Sequence, residues 1–145
     1  MPAQTARPFY GVDSMVFVYH FEANPEFGDA AGRLLQAAEQ GRCRLVTSVL
    51  TLAEVLVVPK RHHADALAAR YRELFRSFPN LTVVPIDEAI AERAAGLRAE
   101  HNLRTPDALQ VATAMREGAD AFVTEDRRLR AAKPCRMVSL AQAAR

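Results

Sequence analysis

Arg104-Thr105-Pro106-Asp107-Ala108-Leu109 is the stretch on which the reading of this chain turns. Threonine can cap a helix, and proline fits the first helical position, where its missing N–H is no loss. Ala108, Val111, Ala112 and Met115 then recur at helical spacing until Gly118 stops the run. Asp107 therefore falls in the first turn of a mostly buried helix. A carboxylate there can simply complement the helix dipole. Its company argues for more. Asp13, Glu54 and Asp126 each sit at a similar boundary, where an apolar segment gives way to the next element.

Working outward, short apolar strands alternate with helices along the chain. Met1 to Pro8 is a loose lead-in. Phe9 to Val12 reads as a strand that ends at Asp13-Ser14, before a short helix from Met15 to Phe21. Pro25 opens a helix with Phe27, Ala31, Leu34, Leu35 and Ala38 on one face, and Gly41 ends it. Arg44 to Thr47 is a second strand. Ser48 caps a helix that runs through Leu52, Val55 and Leu56 and stops near Pro59. Ala64 to Phe78 is another helix. Leu81 to Ile86, rich in β-branched residues, is the third strand, and Asp87 caps a helix from Glu88 to Glu100. Ala121 to Thr124 and a short Arg136 to Val138 complete five strands. This alternation predicts a three-layer α/β fold with a mainly parallel sheet between helices. The length suits one domain, residues 1–145, with a core over about 9–140.

In such sheets ligands bind beyond the carboxyl ends of the strands, where strand order reverses. Asp13 ends the first strand, Thr124 closes the fourth with a hydroxyl, and Asp126 lies two residues beyond it. Glu54 and Asp107 lie on helices that enter or leave the same edge. Four unpaired carboxylates in one partly buried place repel, so either some stay protonated or a cation sits among them. An all-oxygen set suits Mg²⁺ or Mn²⁺. Such ions activate water and neutralise phosphoryl oxygens, which is the chemistry of phosphodiester hydrolysis.

Composition narrows the classes. Half of the 145 residues are hydrophobic, enough for a core. No apolar run approaches the roughly 20 residues that span a bilayer, and the N-terminus lacks a signal-peptide pattern, so a cytoplasmic protein is expected. Cys43 and Cys135 read as reduced thiols. Net charge is only +2, yet of the 19 basic residues only Lys60 and Lys133 are lysines. After Asp126 there is no acid, while Arg127, Arg128, Arg130, Lys133, Arg136 and Arg145 come after it. Arginine suits bidentate phosphate contacts, which favours a nucleic-acid partner slightly over a merely solvated surface. His20, His62, His63 and His101 lack zinc-site spacing and do not suggest a ribonuclease built on two histidines. There is no glycine-rich phosphate loop and no Gly-x-Ser-x-Gly elbow. Asp120, just before a strand, reads as structural.

The local contexts of the acids carry the specific signal: Val12-Asp13-Ser14, Thr51-Leu52-Ala53-Glu54-Val55, Thr105-Pro106-Asp107-Ala108 and Val123-Thr124-Glu125-Asp126. In this order, over about Phe9 to Leu140, the chain resembles the PIN-domain nucleases, and most closely the VapC-like toxins of bacterial toxin–antitoxin pairs. The resemblance implies sheet order 3-2-1-4-5 and a Mg²⁺- or Mn²⁺-dependent endoribonuclease, often dimeric. It maps the acidic quartet to Asp13, Glu54, Asp107 and Asp126, supported by Ser14 and Thr124. It implies an RNA substrate such as tRNA or rRNA. It also implies a VapB-like antitoxin, whose amphipathic segment would cover the groove between the Glu54 helix and the Ala64–Phe78 helix. The chain departs from the family at Met15, where Asn is frequent, and at Glu125, which replaces a frequent Asn and could share the role of Asp126. Leu129 stands roughly where an aromatic often comes after the fourth acid.

Two alternatives remain. A phospho-receiver domain is also small, α/β and acidic at strand ends, with Asp87 as phosphoacceptor and Lys133 as its lysine. It lacks the acid pair expected near the first strand. The other is a PIN fold that binds RNA without cleaving it.

Overall fold

The alternating apolar runs become strands β1 (Phe9–Val12), β2 (Arg44–Ser48), β3 (Leu81–Val84), β4 (Ala121–Val123) and β5 (Met137–Val138) in a computed structural model that describes residues 6–145. The first part of the expected lead-in, residues 1–5, lies outside the described residues. Between the first two strands come α1 (Ser14–Phe21) and α2 (Gly28–Glu39), and between β2 and β3 come α3 (Leu50–Val55), α4 (Val57–Arg61) and α5 (Asp65–Ser77). Helices α6 (Glu88–His101) and α7 (Thr105–Arg116) lead to β4, then α8 (Arg127–Ala132), β5 and α9 (Leu140–Ala143).

The sheet has order β3-β2-β1-β4-β5, and every pairing is parallel. Successive strand residues serve opposite faces, as the pleat requires. Leu45 and Val123 enter a core with Phe17, Leu34 and Phe75, whereas Val46 and Phe122 enter a second core with Ile90, Val111 and Leu129. Both faces are therefore covered by helices, the usual condition of a parallel sheet. The chain builds β2 and β3 on one side of β1, then crosses to β4 and β5 on the other. The reversal places the open crevice at the carboxyl ends of β1 and β4.

Close packing of α7 sharpens that crevice. A Cβ at Gly11 would stand 2.3 Å from the Ala114 side chain, so only glycine lets α7 lie this near β1. The helix start, with Asp107, is thereby brought to the end of β1.

Several boundaries differ from the sequence reading, each for a local reason. Thr105 is the first residue of α7 and does not cap it; the cap position is the extended Arg104, whose side chain makes no capping bond to the helix N–H groups. Pro106 still lies in the first turn, where no partner for its nitrogen is needed. The second helix starts at Gly28, not Pro25, because Asn24 Oδ1 accepts from the N–H groups of Glu26 and Phe27, both at 2.9 Å, and forms a turn. The helix after Ser48 breaks at Leu56 into α3 and α4. Pro59 has no N–H for the Val55 carbonyl, and its ring crowds that carbonyl. Strand β3 stops at Val84, before Pro85. Asp87 caps α6 as expected, accepting from Ile90 N–H at 2.9 Å. Among the described residues no helix is long and apolar enough to cross a membrane.

Candidate functional site

A cavity of about 330 Å³ opens at the crevice. Asp13, Glu54, Asp107 and Asp126 all line it, together with Tyr19, Arg104 and Gln110. The four acids come from four different elements, so their meeting is a product of the topology.

Asp13 caps α1, and its Oδ1 accepts from Met15 N–H at 3.3 Å. Its Oδ2 accepts from the Thr124 hydroxyl at 2.7 Å. Burial pushes its carboxyl above the usual range; these hydrogen bonds oppose the shift, and the charges of Asp107 and Asp126 add to it. Thr124 Oγ1 also accepts from Asp126 N–H at 3.1 Å, so one hydroxyl ties the end of β1 to the turn after β4. Asp126 then caps α8, its Oδ1 accepting from Arg128 and Leu129 N–H at 2.9 and 3.1 Å. Glu54, near the end of α3, is pushed up chiefly by burial, then by Asp13, while the nearby Ser14 hydroxyl works the other way. Tyr19 overlooks the cluster, and burial together with the Asp13 charge raises its phenol.

Arg104 is the cation that meets this group. Its Nε lies 3.2 Å from Asp107 Oδ2 and its Nη2 3.4 Å from Asp126 Oδ2. Its side chain is 63% exposed, so the bridge is held from the solvent side. Among the described residues, no three of His, Cys, Asp or Glu converge closely enough to hold a metal as they stand. Two of the four carboxylates are turned to Arg104 instead. The donor set is nevertheless all oxygen, and Asp13 and Glu54, raised chiefly by burial, are raised further by the neighbouring carboxylates. A hard divalent cation fits that chemistry.

Beneath the acids lies a buried polar layer of Ser14, Thr47, Ser48, Thr51 and Gln110. Among the described residues, no buried side-chain nitrogen or oxygen lacks a partner.

Glu125 does not join the cavity. Its Oε1 accepts from Leu140 N–H at 2.7 Å, and Arg130 lies 4.0 Å from its other oxygen, so it anchors α9. Asp120 accepts from Phe9 N–H at 2.9 Å and is structural as expected. His62 and His63 are exposed. His101 lines a neighbouring recess of about 190 Å³ with Arg104, Asp107 and Arg128. Cys43 and Cys135 are free thiols. Asp87 is engaged by Ile90 N–H and Arg116, which hold it below the usual carboxylate range. It does not line the acid cavity, which weakens the receiver alternative.

The sequence reading missed Tyr19 and Gln110, and quoted Arg104 without a role. Gln110 had a legible signal: it stands three residues after Asp107, a polar side chain among Ala108, Val111 and Ala112, one turn deeper in the same helix.

An apolar recess of about 300 Å³ adjoins the acids and shares Met15 and Glu54 with them. Val57 and Val58 line it, and with Met15 they are three of the exposed large hydrophobic residues of the described chain. Phe21 stacks on Tyr71 at 4.4 Å along its wall.

The family model for the PIN domain matches residues 10–133. A comparison with curated proteins found no match. Solved structures share the fold. A toxin–antitoxin complex from Klebsiella pneumoniae is 24% identical with a TM-score of 0.69, over 92% of this chain and 97% of that one. DNA-bound VapBC from Salmonella typhimurium is 18% identical with a TM-score of 0.70, over 93% and 99%. A sarcin-ricin loop cleaving VapC toxin of Mycobacterium tuberculosis is 20% identical with a TM-score of 0.65, over 86% and 94%.

Proposed function

The chain belongs to the PIN-domain family, and from that premise we propose that it is a Mg²⁺- or Mn²⁺-dependent endoribonuclease. It is the toxin of a toxin–antitoxin pair, and it blocks translation by cleaving tRNA or rRNA. The observation that carries this reading is the meeting of Asp13, Glu54, Asp107 and Asp126 around one cavity at the sheet's switch point. Asp13, Glu54, Asp107 and Asp126 would hold the cation. When bound, it supplies charge neutralisation at the phosphoryl group and an activated water.

The chain's own groups do the rest. Asp13 is fixed by Thr124 and by the start of α1, which limits its reorientation. Arg104, reaching over the cavity from the solvent side, is placed to hold a phosphate once it leaves Asp107 and Asp126. Arg128, in the recess beyond Asp107, extends that positive track along an RNA backbone. An unpaired loop suits the site, because splayed nucleotides bring a bare backbone to a crevice.

The partner is a VapB-like antitoxin. Its amphipathic segment lies in the apolar recess walled by α4 and Tyr71 of α5, and the recess opens towards Glu54. This is supported by the exposed Met15, Val57 and Val58, and by the complexes among the structural neighbours. A homodimer, which rests on the family resemblance, and a cytoplasmic single domain over residues 1–145, read from composition and length, complete the reading.

The test is incubation of purified protein with total bacterial RNA in Mg²⁺, in Mn²⁺ and in chelator. Discrete fragments that require metal support the reading. Fragments formed equally in chelator, with 2′,3′-cyclic phosphate ends, would refute it. Isothermal titration with the product of the adjacent reading frame tests the partner, and no binding would count against it.

A further inference from the structure

We propose that Gln110 is a positioning residue which, through Ser14 and Thr51, sets the carboxylates of the cavity in the arrangement a divalent cation needs. The proposal rests on the metal-site reading above.

The direction of each hydrogen bond in the buried layer can be worked out from its ends. The Thr47 hydroxyl donates to the Val12 carbonyl at 3.2 Å, so its single proton is spent. At the 2.6 Å contact between Thr47 and Thr51, Thr51 must then be the donor. Gln110 Oε1 accepts from the Ser48 hydroxyl at 2.8 Å and from Ser48 N–H at 3.3 Å, which fixes which end of the amide faces β2. Its Nε2 therefore presents both protons to the other side, to Ser14 Oγ at 2.6 Å and Thr51 Oγ1 at 2.9 Å. Ser14 and Thr51 each accept one. Ser14 then gives its own proton to Thr51 Oγ1 at 2.9 Å. One amide thus fixes the direction of every hydroxyl around it: Gln110 donates to Ser14 and Thr51, Ser14 to Thr51, and Thr51 to Thr47.

Spacing along the chain connects this layer to every acid. Ser14 is next to Asp13, Thr51 precedes Glu54 by one helical turn, and Gln110 stands one turn after Asp107. Asp126 joins through Thr124, which binds Asp13 and the Asp126 N–H. Gln110 is the member that touches β2, α1 and α3 while standing on α7. An apolar side chain would fill its space but leave Ser48 N–H, Ser14 and Thr51 short of a partner. A fully satisfied buried network fixes one arrangement of the elements that carry it. Outer partners of ligating carboxylates tune metal affinity in the same manner.

The experiment is Mn²⁺ titration of the full chain, read by the electron paramagnetic resonance signal of free Mn²⁺. Wild type is compared with Gln110→Met, Thr51→Val, Asp107→Asn and Ile90→Ala, each at a temperature where circular dichroism shows it folded. Gln110→Met keeps length and apolar bulk but removes donor and acceptor. Ile90→Ala lowers stability on the same side of the sheet without touching the network. The expected result is Mn²⁺ affinity weakened on the order of tenfold or more in Gln110→Met, weakened in Thr51→Val, and unchanged in Ile90→Ala. Wild-type affinity in Gln110→Met beside loss in Asp107→Asn would overturn the proposal and leave the metal site standing. Equal weakening in Ile90→Ala would overturn it as a stability effect. Wild-type affinity in Asp107→Asn would remove the metal-site reading, and the proposal with it. Should Gln110→Met not fold, Thr51→Val decides by the same comparisons.

Discussion

Arg104 bonds Asp126 across 22 positions of sequence, its Nη2 3.4 Å from the carboxylate, while its Nε holds Asp107 at 3.2 Å. One guanidinium therefore binds two of the four acids from the solvent side. A divalent cation and Arg104 compete for the same oxygens. Exposed ion pairs of this kind contribute at most about 1 kcal/mol each. Arg104→Gln should accordingly bind Mn²⁺ a few-fold, at most about thirtyfold, more tightly. The same variant should bind RNA more weakly and with a shallower salt dependence, since a phosphate contact is lost. Unchanged Mn²⁺ affinity would show that the bridge is not held in solution.

Asp13 and Glu54 make opposite demands on stability and chemistry. Both carboxyls titrate above the ordinary range in the folded protein, chiefly because of burial. The native state then holds more protons than the unfolded chain between the ordinary and the raised values. Stability without metal should fall as pH rises through that window and stay lower above it. Asp13→Asn keeps a capping acceptor for Met15 N–H and presents its amide N–H to Thr124 Oγ1, which then accepts, while removing the charge. It should raise the metal-free melting temperature by a few degrees, flatten this pH dependence, and abolish metal-dependent cleavage. Scanning calorimetry in chelator across mildly acidic to neutral pH measures the first two. Intact metal-dependent cleavage would remove Asp13 from the site.

Glu125 and Asp126 are neighbours with different tasks. Glu125 anchors the N–H of Leu140, and Asp126 faces the cavity. Glu125→Ala should lower stability by about 1 kcal/mol, read by denaturant unfolding, with Mn²⁺ affinity unchanged. A loss of Mn²⁺ affinity larger than that of Asp126→Asn would reverse the assignment.

Val58 presents apolar surface beside the acids, 41% exposed. A charge placed there should leave the fold intact and oppose an amphipathic segment in the recess. Val58→Asp should weaken antitoxin binding by tenfold or more on the order-of-magnitude scale of an interface anchor, with RNA cleavage by the free protein retained. Equal binding by both proteins would place the antitoxin elsewhere.

The strands were legible as short apolar runs, and their order came from the family resemblance carried by the contexts of the four acids. Val12-Asp13 and Val123-Thr124 mark the ends of β1 and β4, and those ends form the crevice. Asp107 was legible from its place in the first turn after Pro106. What escaped depends on contacts between distant segments. The bridge from Arg104 to Asp126 needs the α7 start and the β4 turn side by side, which no local pattern encodes. Gln110 reads as one polar residue in an apolar stripe until the packing of α7 on Gly11 brings it to Ser14 and Ser48. The choice between Glu125 and Asp126 turns on the backbone direction after Thr124. The break at Leu56 was masked because Pro59 read as a stop, although it falls inside α4, the short helix after the break.

The most direct measurement is cleavage of total bacterial RNA by wild type and Asp107→Asn, purified alike and assayed side by side with Mn²⁺ and with chelator. A metal-dependent nuclease built on these carboxylates yields discrete fragments from wild type with Mn²⁺, none with chelator, and none from Asp107→Asn at any metal concentration. Equal, metal-independent cleavage by both proteins would contradict it.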